Sequence, residues 1–107
     1  MILSNPHRVI FIAGPYRAKT EYELEEHIQE AEDAAIRLWQ QGRIVICPHK
    51  NSAHFGGCCP DEVWLEGDLE LLRRSDAVFM LPNWQQSEGA RNEHAETIRL
   101  NKEVIYG

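Results

Sequence analysis

The chain has 107 residues, 43% hydrophobic and 26% charged, the make-up of one soluble globular domain over residues 1–107. Its 17 acidic and 11 basic residues leave a formal net charge of -6, which excludes general affinity for a nucleic-acid polymer but not one phosphorylated small molecule. No apolar stretch approaches membrane-spanning length and Met1–His7 lacks the regions of a signal peptide, while three cysteines (Cys47, Cys58, Cys59) without framework spacing fit a reducing cytoplasm.

Along the chain, Arg8 to Ala13 is an apolar, β-branched run ended by Gly14 and Pro15, the pattern of a strand buried on both faces. Thr20 to Glu23 has the form of a capping box, a hydroxyl at the N-cap and a glutamate three residues on. From there Leu24, Ile28, Ala31, Ala35, Leu38 and Trp39 recur at helical spacing, and Gly42 is a natural stop just past the helix. Arg43 to Cys47 reads as a second buried strand, ended by Pro48. His49 to Cys59 has no period and reads as a loop. Pro60 at the first helical position opens a helix through Val63, Trp64, Leu65, Leu69 and Leu72 to Arg73 and Arg74. Asp76 to Leu81 is a third strand, a helix runs from about Gly89 to Leu100, and Glu103 to Tyr106 is the last strand.

Strands that alternate with helices imply right-handed crossovers and a parallel sheet covered on both faces. The expectation is an α/β, flavodoxin-like three-layer sandwich with a small parallel sheet of four strands, or five at most, in the order 2-1-3-4. The switch point then lies between strands one and three, and the loops Gly14–Lys19 and Pro82–Gly89 line one crevice. In the second loop, Ser87 and Gly89 begin a helix whose free N–H groups and positive dipole end suit a phosphate or a hydroxyl-rich ligand. Glu93 stands in that helix, one turn from its start, with its carboxylate available beside the ligand.

These residues resemble the nucleoside 2-deoxyribosyltransferase-like superfamily, which includes nucleoside 2′-deoxyribosyltransferases and nucleoside 5′-monophosphate N-glycosidases. The matching parts are Phe11-Ile12-Ala13-Gly14-Pro15-Tyr16-Arg17, then Asp68 eight residues before Asp76, and Ser87, Gly89 and Glu93 in the spacing S-x-G-x-x-x-E. The resemblance implies that Glu93 is a nucleophile that displaces the base from a nucleoside and holds the sugar covalently, in the manner of a retaining glycosidase. It makes Asp68 the acid near the sugar and base. It puts Gly14, Pro15, Tyr16 and Arg17 with Ser87 and the N–H groups of Gly89 and Ala90 around a 5′-phosphate. Trp84, just after strand three, is placed by its position to wall the base pocket. Many members carry a tyrosine that bonds the nucleophile where this chain has Phe11, and some monophosphate hydrolases share the phenylalanine. That difference tips the expectation toward nucleotide hydrolysis over base exchange. Members are oligomers, so at least a homodimer is expected, with the His49–Cys59 loop or the Trp64 helix near the interface.

Other residues carry weaker signals. His49, His54, Cys58 and Cys59 share one loop but lack a C-x-x-C pair or a second ligand cluster, so no metal and no cofactor is expected. The His49–Cys59 loop is expected to be a substrate lid or a subunit contact, with His54 and Phe55 placed to touch the base. The partner expected is a small nucleoside or nucleotide, with no nucleic-acid polymer and no membrane. The rival reading is a non-catalytic nucleotide-binding or signalling module that uses the same crevice.

Overall fold

The computed structural model describes residues 8–107, and the leader Met1–His7 lies outside the described residues. Four strands, β1 (Val9–Ala13), β2 (Ile44–Ile46), β3 (Ala77–Met80) and β4 (Glu103–Tyr106), form one sheet in the order β2-β1-β3-β4. Every pairing is parallel, with Phe11 opposite Ile46 on one side and Val78 on the other. The helices are α1 (Glu21–Gln40), α2 (Pro48–Asn51), α3 (Asp61–Arg73) and α4 (Glu88–Arg99), and a 3-10 turn spans Trp84–Gln86. The order and the parallel sense are those expected from the alternation of strands and helices.

The two-residue period of a strand divides the core into two layers. Ile10, Ile12, Ala77 and Leu81 pack on Ala31, Ala34, Ala35 and Leu38 of α1. Phe11, Ala13, Val78 and Met80 face the other way, onto Leu72 of α3 and Ala90 of α4. Three alanines on the buried stripe of α1 let that helix lie close to the sheet. Trp39, expected on this stripe, is instead 53% exposed, because Ala35 and Leu38 already fill the contact.

Local chemistry sets the ends of the elements. Thr20 caps α1 by accepting the Glu23 N–H at 3.1 Å, but the reciprocal bond from the Glu23 side chain is absent among the described residues. At the other end Gly42 has φ 83, and its N–H donates to Trp39 O while the Arg43 N–H donates to Leu38 O. That is a Schellman ending, which only a left-handed residue completes without strain. Two boundaries differ from the sequence expectation, as does the burial of β2. Pro60 is the N-cap of α3 and not its first helical residue. The start of the His49–Cys59 segment is helical, since α2 covers Pro48–Asn51; a single turn is too short to show a period. β2 and β4 are half-buried edge strands.

The central pair of strands is pinned at both ends. At the amino ends, the Val9 N–H donates to Asp76 Oδ2 at 2.7 Å and the Asp76 N–H to Val9 O at 2.8 Å. At the carboxyl ends, the Leu81 N–H donates to Ala13 O at 2.8 Å. Gly14 then passes so near Leu81 that a Cβ on it would lie 2.5 Å from Leu81 Cδ1 and 2.7 Å from its Cβ. Leu81 is 2% exposed and has nowhere to move. Gly14→Ala is therefore expected to destabilise the protein by about 1–3 kcal/mol, as overpacking does, read as a lower urea midpoint with an unchanged slope.

Candidate functional site

The loops that leave β1 and β3 lie side by side at the carboxyl end of the sheet, where the strand order reverses and open α/β sheets bind ligands. The loop after β3 turns through Asn83, at φ 67, into the Trp84–Gln86 turn and reaches α4 at Ser87. Ser87 is the N-cap: its Oγ accepts the Ala90 N–H at 3.2 Å, and the Arg91 N–H bonds Ser87 O. The Ala90 N–H is thus already satisfied. Among the described residues the unpaired N–H groups at this helix start are those of Glu88 and Gly89. A Cβ on Gly89 would meet only Ser87 Oγ, at 3.9 Å, so the space over it is open.

Glu93 lies farther along α4. Its backbone carbonyl accepts from Thr97 Oγ1 at 2.7 Å, and Thr97 is fully buried. Its side chain keeps an opening to solvent, but protein atoms crowd it closely. That burial, reinforced by the charge of Asp68 on α3, pushes the Glu93 carboxyl up to about 8. Asp68 is half-buried, and burial raises it to about 6. Among the described residues neither carboxyl group has a hydrogen-bond or ion-pair partner. The next acid along α4 shows the contrast. Glu96 takes Arg73 of α3 at 2.9 Å and Arg99 at 2.8 Å, and these guanidinium groups hold it down to about 2. Glu96 is thus a tie between α3 and α4, whereas Asp68 and Glu93 are two unpaired acids held near one another by it.

Tyr16 and Arg17 follow Gly14 and Pro15 at the rim, where Arg17 pairs with Asp61, in the first turn of α3, at 3.2 Å. Both side chains are about two-thirds exposed, 66% and 68%, so that pair costs little to exchange for a ligand. Trp84 stacks on His94 with ring centroids 4.2 Å apart, and Tyr106 lies 6.4 Å from it. Phe11 is 0% exposed and presents no surface to a ligand; its ring is core, among Leu72, Val78 and Met80. Gly67, beside Asp68, has nothing within 4 Å of where a Cβ would stand. His54 faces Glu25 at 3.4 Å and Phe55 tilts against Trp64 at 6.3 Å, the latter beside exposed Val63 and Leu65.

Two histidines make bonds to this rim that sequence reasoning did not foresee. His49, 5% exposed, bonds Pro15 O through Nε2 at 2.9 Å, and His27 bonds Tyr16 O through Nδ1 at 2.9 Å. No spacing in the sequence reveals this. His27 lies among acidic residues of α1 (Glu25, Glu26, Glu30), and His49 lies in a stretch without a period. Among the described residues no group of three or more His, Cys, Asp or Glu side chains is arranged to hold a metal ion, and no helix is long and apolar enough to cross a membrane.

A family model described as a domain of unknown function (DUF4406) matches residues 8–106. Comparison with curated proteins yields no match. Among solved structures, the 2-deoxyribosyltransferase of the psychrotolerant bacterium Bacillus psychrosaccharolyticus, described as a biocatalyst for nucleoside synthesis, superposes with a TM-score of 0.69 over 92% of this chain and 70% of that one. Sequence identity is 22%, so the likeness is one of fold.

The raised Glu93 carboxyl has a consequence for stability. Its folded-state pKa of about 8 exceeds the ordinary 4.5, so the folded state holds a proton that the unfolded state releases. The stability this confers is complete below pH 4.5 and is lost as pH rises through about 8. Glu93→Gln removes that dependence. Its melting temperature is expected to match the parent near pH 5 and to exceed it by at least about 4 °C at pH 9, checked by thermal scans across that range.

Proposed function

The chain belongs to the family described as a domain of unknown function (DUF4406) and has the fold of the nucleoside 2-deoxyribosyltransferase-like superfamily, and on that premise we propose that it cleaves or transfers the N-glycosidic bond of a nucleoside or nucleoside 5′-monophosphate. The observation that carries this reading is the pair of unpaired carboxyl groups, Glu93 and Asp68, near one another beside a helix start that offers free N–H groups. Between about pH 6 and about 8 the two share one proton. The higher value keeps that proton mainly on Glu93; in the tautomer that carries it on Asp68, the Glu93 carboxylate attacks the anomeric carbon as the bond to the base breaks. The departing electron pair goes to the base, which takes the proton from Asp68. A carboxylate suits the oxocarbenium-like transition state because its charge stabilises the developing cation before the new bond forms. Water then attacks the anomeric carbon and gives its proton to Asp68 as the bond to Glu93 breaks, releasing the sugar and restoring both groups; a second base that gives up its N–H proton in the same way yields transfer.

Hydrolysis is favoured over base exchange on two grounds. Phe11 supplies no hydroxyl to hold Glu93 for a deoxyribose-selective exchange, and its ring is fully buried. Arg17 and the N–H groups of Glu88 and Gly89 offer a 5′-phosphate one positive charge and two donors. A non-catalytic nucleotide-binding module has no use for two neighbouring carboxyl groups without partners, since each is costly to keep.

Purified protein is expected to release free base from one or more of a panel of nucleosides and their 5′-monophosphates, read by chromatography. Glu93→Ala should remove this activity by several orders of magnitude, each factor of ten being about 1.4 kcal/mol of barrier. Wild-type turnover by the Glu93→Ala protein would refute the nucleophile. Arg17→Ala should raise KM for monophosphates by about ten- to a hundred-fold and leave nucleosides nearly unaffected, the worth of one charge-assisted contact. Equal effects on both substrate classes would remove the phosphate role.

A further inference from the structure

The loop Gly14–Lys19, which joins the centre of the sheet to α1, is held in an unusual way. Among the described residues its backbone makes no hydrogen bond to any other backbone group. Pro15 has no N–H to give. Its fixed points are side chains from two separate helices: His49 on α2 bonds Pro15 O and His27 on α1 bonds Tyr16 O, each at 2.9 Å. A carbonyl oxygen only accepts, so each imidazole must donate, His49 from Nε2 and His27 from Nδ1. The His49 ring also meets the Tyr16 ring edge-on, with centroids 5.7 Å apart and planes at 69°. His49 is 95% removed from solvent by its 5% exposure, and burial holds its pKa below the ordinary value, which keeps it neutral with its proton on the bonding nitrogen. Two successive carbonyls are therefore gripped from two different helices, immediately before the side chain of Arg17.

We propose that His27 and His49 are positioning residues, which fix the Gly14–Lys19 loop through these two carbonyls and so aim the Tyr16 ring and the Arg17 guanidinium at a nucleotide's sugar and phosphate. The aim of those two side chains rests on the nucleotide reading above; the grip on the loop does not. Neither imidazole touches the reacting atoms. They act on how well the ligand is held, which places their effect in KM.

Two measurements test this on the intact chain. Backbone order parameters from 15N relaxation should be near about 0.85 at Tyr16 and Arg17 in the parent protein and fall below about 0.6 in His27→Leu. With monophosphate as substrate, His27→Leu should raise KM about tenfold, the worth of one lost hydrogen bond, with kcat changed less than KM. His27→Asn and His49→Gln each return an amide N–H to the lost donor's place and should restore most of both readouts. His49→Leu should behave as His27→Leu does; if this buried change prevents folding, the half-exposed His27 position carries the test alone. Order parameters at the parent level in folded His27→Leu would overturn the proposal, as would a loss confined to kcat. A parent protein that releases no base from any substrate would remove the nucleotide reading, and the order parameters would still decide whether the histidines hold the loop.

Discussion

Because Gly14 carries no side chain, the chain leaving β1 can lie directly against Leu81 at the end of β3, and everything near the crevice follows from that approach. Parallel pairing brings the two strand ends to one level, and the Leu81 N–H to Ala13 O bond closes the register. At the opposite end Asp76 does the same through its backbone and its carboxylate. With β1 and β3 fixed this way, the loop bearing Tyr16 and Arg17 and the loop leading to Ser87 cannot separate. A small sheet of four strands thus sets these two loops side by side, although two of its strands are half-buried edges.

Two helices on one face of that sheet then determine the electrostatics. Leu72 and Ala90 bury α3 and α4 against Phe11, Val78 and Met80, and the Arg73–Glu96–Arg99 group ties the two helices together. The acids on the same two helices divide sharply. Glu96 meets two guanidinium groups and stays ionised far below neutrality, whereas Glu93 and Asp68 meet none and rise. Keeping two such groups near one another opposes folding above neutral pH, a strain the well-filled layers on both faces must offset. Perturbed acids of this kind concentrate where chemistry is done, and the proposed reaction rests on this pair for that reason.

The rim of the crevice is built differently from its floor. The floor is made of strand ends and a capped helix, whose backbone groups are largely satisfied by the fold itself. The rim at Gly14–Lys19 relies on imidazole donors from α1 and α2 and on one exposed ion pair to α3. Three helices therefore meet on one short loop. A loop so attached can be rigid without being part of any ladder, which suits the ligand contact proposed for Tyr16 and Arg17.

Much was legible in the sequence alone because it rests on local rules. Continuous β-branched runs marked the strands, the Thr20 cap and Gly42 marked the limits of α1, and alternation of strand and helix set the parallel order 2-1-3-4. The helix start at Ser87 and the place of Glu93 within α4 were readable from their spacing. What the sequence could not decide depended on distances between residues far apart in the chain. Only the packed structure showed that Phe11 is wholly core and that the Ala90 N–H is spent on Ser87. Only there does Asp68 come near enough to raise Glu93 while Arg73 takes Glu96. The same holds for His27 and His49, whose partners are carbonyl groups that no side-chain pattern can announce. Periodicity reports which face of an element is buried; the pairing of charges and backbone groups is settled by the tertiary fold, because each depends on a few ångströms that no spacing along the chain encodes.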